Sequence, residues 1–163
     1  MEFKRYKVLF VCTGNICRSP LAQGVFQQLV EEEGLSLQFS VDSAGTDSYH
    51  VGQDVDPRMQ ATAVRHGYSF SHPSRAVRSQ DLEKFDVIFA MDQGHLSRLR
   101  AMAKTDEQRA KIHMFREFDP EGSEHHEVPD PYYGGPQGFE EVFQIVHRTS
   151  RSIIEAFQNY DIP

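Results

Sequence analysis

Between Lys7 and Leu21 the apolar pattern changes period, and that change constrains the fold more than any other feature of the chain. Lys7-Val8-Leu9-Phe10-Val11 is a short apolar run of strand-forming residues, the composition of a strand buried on both faces. Beyond Pro20, Leu21, Ala22, Val25, Phe26, Leu29 and Val30 recur at i, i+3 and i+4, which places them on one face of a helix. Ser19-Pro20 suits the start of that helix, with serine as cap and proline in the first turn. Glu31-Glu32-Glu33-Gly34 ends it with a solvated face and a glycine stop.

The alternation then repeats. Leu37 to Val41 alternates like a strand, and Pro57 to His66 reads as a helix closed by Gly67. Phe85 to Met91 is a second buried strand, Asp92 is placed to cap a helix reaching Met102, and Lys111 to Phe115 reads as a fourth strand. A long helix follows from Phe139 to Phe157, with Val142, Phe143, Val146, Ile153, Ile154 and Phe157 on one face. Strands and helices in alternation imply an α/β fold, a parallel sheet covered on both faces, whose ligands sit at the C-terminal ends of strands. Cys12 stands at such an end. With no repeat, low-complexity tract or linker in view, residues 1–163 read as a single domain.

Composition narrows the function. Hydrophobic residues at 39% and charged residues at 25% describe a globular chain rather than a disordered one. The formal net charge of −7 argues against a nucleic-acid partner, which needs many Lys and Arg to neutralise phosphates. No apolar run approaches the roughly 18 residues of a membrane span. The apolar run after the charged N-terminus is too short for a secretory signal, so no membrane and a cytoplasmic location are expected. The chain's 2 cysteines cannot frame a disulfide scaffold, which agrees with a reducing compartment.

The connection between the first strand and the first helix reads Cys12-Thr13-Gly14-Asn15-Ile16-Cys17-Arg18-Ser19. A loop wrapped so that successive N–H groups point inward makes a nest for a tetrahedral oxyanion, and the following helix adds positive potential. Gly14 and Asn15 are suited to the left-handed backbone such wrapping needs. The same field favours the thiolate of Cys12, the nucleophilic form. Arg18 can clamp two phosphoryl oxygens bidentately, as lysine cannot, and Ser19 can donate a hydrogen bond to the sulfur. Cysteine followed at this spacing by arginine arises often enough by chance to be weak evidence alone, and most cysteines at strand ends are packing residues. The conjunction of strand, glycine, asparagine, arginine, serine and helix gives the loop its meaning.

A weakly acidic leaving group departs from phosphorus slowly unless it is protonated, so such a site asks for a proton donor. Asp130, between Pro129 and Pro131, is a candidate; an ordinary turn aspartate is the competing reading. Glu124, His125, His126 and Glu127 suggest a metal cluster, but their spacing matches no ligand pattern, and no metal or other cofactor is expected. The remaining histidines, His95 among them, are assigned to surface or capping roles.

The run Val8 to Pro20 resembles the signature of the low-molecular-weight protein-tyrosine phosphatases. The likeness continues through Val41-Asp42-Ser43-Ala44-Gly45-Thr46, His66-Gly67, Ser71-His72, Ala90-Met91-Asp92 and Asp130-Pro131-Tyr132-Tyr133-Gly134. This resemblance implies a three-layer α/β/α fold with a four-stranded parallel sheet. It implies Cys12 as nucleophile, Asp130 as general acid, and phosphate held by Arg18 and the loop residues Thr13, Gly14, Asn15, Ile16, Cys17 and Ser19. Ser43 and His72 would support the loop, Tyr49 and Tyr132 would wall the substrate ring, and Cys17 would form a protective disulfide with Cys12. Phosphotyrosine proteins or small aryl phosphates are the implied substrates, inorganic phosphate the product and inhibitor, and a monomer or weak dimer the expected state. Both cysteines lie inside the loop, which disfavours a reductase relay through a distant cysteine pair. An apolar Ile16 suits a phenyl ring better than the guanidinium of phosphoarginine. Pro73-Ser74-Arg75 departs from the family pattern and is expected to affect only the rim of the site.

Overall fold

The computed structural model describes residues 5–122, 124, 126–132, 134–159 and 162. In chain order its elements are β1 (Tyr6–Cys12), α1 (Arg18–Glu32), β2 (Phe39–Gly45), α2 (Pro57–Arg65), α3 (Asp81–Lys84), β3 (Val87–Ala90), α4 (Gln93–Met102), α5 (Asp106–Ala110), β4 (Ile112–Met114) and α6 (Pro136–Gln158). Short 3₁₀ turns at Ser36–Gln38 and Phe115–Phe118 precede β2 and follow β4. The four strands are parallel in the order β2-β1-β3-β4.

β1 lies at the centre and shows why its sequence lacks polar alternation. Tyr6, Val8, Phe10 and Cys12 point to one face and join the core made with α1, α2 and α6; Leu9 and Val11 point to the other and join Leu82, Leu96 and Leu99 of α3 and α4. Both faces are therefore covered, which makes three layers. Phe10 anchors the larger core, its ring centroid 5.6 Å from that of Phe26, 5.7 Å from Phe89 and 5.9 Å from Phe115.

The strand order reverses direction between β1 and β3, and the loop after β1 opens into the crevice at that switch point. Several sequence expectations shift here. The second strand, read at Leu37 to Val41, runs Phe39–Gly45 with Leu37 in the 3₁₀ turn before it, and the last helix begins at Pro136, ahead of Phe139. The third strand is shorter than its apolar run, because Phe85 and Asp86 come before the ladder and only Val87–Ala90 pair within it. The first helix begins at Arg18, so Ser19 lies inside it and does not cap it. Its hydroxyl is used on the loop instead.

Candidate active site

The Thr13–Cys17 loop is tied down through its carbonyls. Cys12 O accepts from the Thr46 amide at 2.9 Å, Thr13 O from Asp47 N at 3.1 Å, Ile16 O from Asp56 N at 2.8 Å and Cys17 O from Leu21 N at 3.2 Å. The Ser74 hydroxyl donates to Gly14 O at 2.8 Å. With the carbonyls turned outward, the amides of the wrapped loop are left for an anion, and no bond from the Thr13–Cys17 amides to protein is present among the described residues. Wrapping requires a left-handed residue, and Asn15 is one, at φ 58°.

Asn15 is fully buried and acts as a hub. Its Nδ2 donates to Ser19 Oγ at 2.8 Å and to Ser43 Oγ at 3.0 Å. Its Oδ1 accepts the Arg75 amide at 3.1 Å and faces His72 Nε2 at 3.1 Å. The Arg75 amide fixes which end of the Asn15 side chain is the acceptor, so His72 Nε2 is the donor. Burial pushes the His72 imidazole below its ordinary value, in keeping with a neutral ring. Ser43 passes its own hydrogen to Gln23 Oε1 at 2.6 Å. Ser19 Oγ then stands 2.9 Å from Cys12 Sγ, with Cys12 itself buried.

Arg18 is 2% exposed and fixed on several sides. Nη1 donates to Asp92 Oδ2 and to Val128 O, each at 3.0 Å; Nη2 donates to Thr13 Oγ1 at 3.3 Å and lies 3.6 Å from Asp130 Oδ2. Asp92 also caps α4 by accepting the His95 amide. Asp130 is held by its own Asx turn, accepting the Tyr132 amide at 3.0 Å, and remains open to solvent. Cys12, Thr13, Gly14, Ile16, Cys17, Arg18 and Asp130 all line one cavity of about 430 Å³, together with Asp47, Tyr49, His50 and Tyr132.

A family model for low molecular weight phosphotyrosine protein phosphatases matches residues 7–160. The chain belongs to this family. It is 43% identical to a low molecular weight protein-tyrosine-phosphatase of Streptomyces coelicolor over 93% of each chain. A crystal structure of protein tyrosine phosphatase from Entamoeba histolytica superposes with a TM-score of 0.91 at 38% identity, covering 96% of this chain and 99% of that one. A Drosophila arginine phosphatase also superposes, with a TM-score of 0.86 at 34% identity, covering 93% of this chain and 98% of that one.

The loop residues, Ser43, His72, Tyr49, Tyr132 and Asp130 come together at one end of the sheet. Tyr49 lines the cavity while remaining 86% exposed. Cys12 and Cys17 are free and buried thiols; burial, with Asp56 and Cys12 nearby, pushes the Cys17 thiol well above its ordinary value. The segment Pro73-Ser74-Arg75 is not a rim element. Ser74 and the Arg75 amide bind the loop from beneath, and the Arg75 guanidinium bridges Asp42 and Asp81. Asp92 as the anchor of Arg18, His95 beneath Thr13 and His50 against Gly14 were not legible as site residues, since each is set by a contact across the fold. His125 and Tyr133 lie outside the described residues.

Proposed function

We propose that Cys12, Arg18 and Asp130 carry out metal-independent hydrolysis of phosphotyrosine in two steps. The Cys12 thiolate attacks phosphorus, the phosphorus–oxygen bond breaks with its electron pair leaving on the phenolic oxygen, and Asp130 supplies that oxygen with a proton. Asp130, now a carboxylate, takes a proton from water as the water oxygen attacks the cysteinyl-phosphate, and the sulfur leaves as thiolate. The loop amides and Arg18 hold the phosphoryl oxygens in both steps. The observation that carries this reading is Cys12 Sγ at the floor of an amide nest, 2.9 Å from Ser19 Oγ, in the same cavity as Arg18 and Asp130.

Cys12→Ser is expected to abolish turnover of aryl phosphates; parental turnover in that variant sinks the mechanism. Asp130→Ala is expected to slow phenyl phosphate hydrolysis at least tenfold more than that of p-nitrophenyl phosphate, whose leaving group needs little protonation. Equal losses remove Asp130 from the acid role.

Phosphotyrosine is favoured over phosphoarginine because Ile16, which is 8% exposed, presents an apolar side chain to the cavity. Parallel assays on phosphotyrosine, phosphoserine and phosphoarginine peptides decide the matter, with inorganic phosphate expected to compete in each. Faster turnover of phosphoarginine overturns the reading of Ile16. The two loop thiols further support a protective role for Cys17: peroxide would oxidise Cys12 to a sulfenic acid, and Cys17 would displace water from it to form a disulfide. Thiol rescue that is equally complete in Cys17→Ser argues against this. A cytoplasmic setting suits a nucleophile that must stay reduced.

A further inference from the structure

His95 has a second bond beyond its place in the α4 cap. Its ring is buried, and Nδ1 accepts the backbone N–H of Asp92 at 3.1 Å. Asp92 Oδ1 also lies 3.2 Å from Nδ1 but accepts the His95 amide, and the fixed backbone hydrogen aimed at Nδ1 leaves no room for a second hydrogen on that nitrogen. A ring accepting at Nδ1 carries its hydrogen on Nε2, so Nε2 is the donor to Thr13 Oγ1, 2.8 Å away. Burial and the Arg18 charge push His95 down to about 4, which keeps this neutral form in place at neutral pH. Arg18 Nη2 donates to the same oxygen at 3.3 Å. With both lone pairs of the Thr13 hydroxyl taken, its own hydrogen is the group left to bond, and Thr13 lines the phosphate cavity.

Resting on the assignment of that cavity to phosphoryl transfer, we propose that His95 is a positioning residue that acts through Thr13. It orients the Thr13 hydroxyl to brace Arg18 Nη2 on one side and to donate to a phosphoryl oxygen on the other. Arg18 is then braced at both nitrogens from the start of α4: Nη1 by the capping residue Asp92, and Nη2 by Thr13, which His95 holds. A bare helix cap would make the effect of His95 on rate independent of Thr13. The two roles therefore separate on the bench.

The variants are Thr13→Val, Thr13→Ser, His95→Ala and the double Thr13→Val/His95→Ala, with Cys12→Ser as reference. Thr13→Val is expected to lower kcat/KM for p-nitrophenyl phosphate roughly tenfold, mostly in kcat, as for loss of one hydrogen bond to a charged group. Thr13→Ser is expected to recover most of that loss. His95→Ala is expected to lower kcat in the parental background but to add less than twofold in the Thr13→Val background, because the route through Thr13 is already cut. Parental kcat in Thr13→Val, or an equal His95→Ala loss in both backgrounds, overturns the proposal. If His95→Ala does not fold, His95→Asn takes its place in both backgrounds, with the same outcomes expected. An active Cys12→Ser protein would instead overturn the assignment of the cavity; an inactive one alongside a parental Thr13→Val overturns only the role of His95.

Discussion

Asn15 is the residue on which the loop's shape and its chemistry meet. A left-handed backbone costs most L-residues about 1–2 kcal/mol, and asparagine is among the few that tolerate it. Glycine would adopt φ 58° freely but would leave Ser19, Ser43 and the Arg75 amide without their shared partner. Aspartate would remove two donors and place a charge beside the thiolate. Two variants separate these contributions. Asn15→Gly keeps the backbone and loses the hub, whereas Asn15→Ala loses both. Each is expected to lower kcat at least tenfold, and urea unfolding is expected to find the alanine variant roughly 1 kcal/mol less stable than the glycine variant. Parental kcat in Asn15→Gly would remove the hub from catalysis. Much of this residue is legible in the sequence, since the need for a left-handed position follows from the loop's wrapping. Of the two roles the sequence offers Ser19, the bond to the Cys12 sulfur is present and the local cap before Pro20 is not. Only the start of α1 at Arg18 frees its hydroxyl for Cys12 and Asn15.

Between elements, the β1–β2 register sets how closely the loop can approach the sheet. Cys12 pairs with Gly45, and a Cβ on Gly45 would lie 2.6 Å from Thr13 O and 3.2 Å from Asn15 N. Neither side can yield cheaply, because Gly45 is bonded to Arg75 O and Val77 N while Thr13 O is held by Asp47 N. Gly45→Ala is therefore expected to destabilise by about 1–3 kcal/mol and to reduce kcat more than tenfold as the loop is pushed out. Gly34 is the contrasting case: it has φ +72° and open space around it, far from the site. Gly34→Ala is expected to lose about 1 kcal/mol of stability and keep its kcat. If both variants keep full kcat, close approach at Gly45 does not shape the loop. The same scale explains what sequence reading could reach. The α4 cap at Asp92 was legible because capping is local. That its other oxygen holds Arg18 was not, because that pairing exists only once β3 lies beside β1. The family resemblance supplied Asp130 for the same reason: a turn aspartate acquires its role from what the fold brings opposite it.

Across the whole molecule, the acid-bearing segment is held by a node far from the cavity. The Asp119 side chain is fully buried; it accepts Arg148 Nε at 2.8 Å from α6, Arg116 Nε at 3.0 Å, and the Glu121 amide at 2.9 Å. Arg116 in turn donates to Glu127 O at 2.8 Å, and next along the chain Val128 O accepts Arg18. A continuous set of bonds thus runs from the long closing helix to the arginine of the loop. Burial alone would raise the Asp119 carboxyl, but Arg148, the Glu121 amide and Arg116 outweigh it and hold the group below the usual carboxylate range. A carboxylate depressed in the folded state stabilises the fold above its unfolded value, about 3.9, and loses that contribution as pH falls through the lower folded value. Asp119→Asn is therefore expected to be about 2 kcal/mol less stable than the parent at pH 7, as for lost hydrogen bonds between charged groups. In urea unfolding at a series of pH values, the gap should stay constant from pH 7 to 5 and narrow only below about pH 4. A gap already closing between pH 7 and 5 would mean that the substitution acts through a group other than the Asp119 carboxyl. His72, His95, His113 and His147 are all depressed in the fold. Because these histidines are neutral in the fold and gain protons on unfolding, they lower stability of parent and variant alike as pH falls below about 6.5. That shared decline cancels in the difference, which leaves the Asp119 node as the source of the acid limb in the gap.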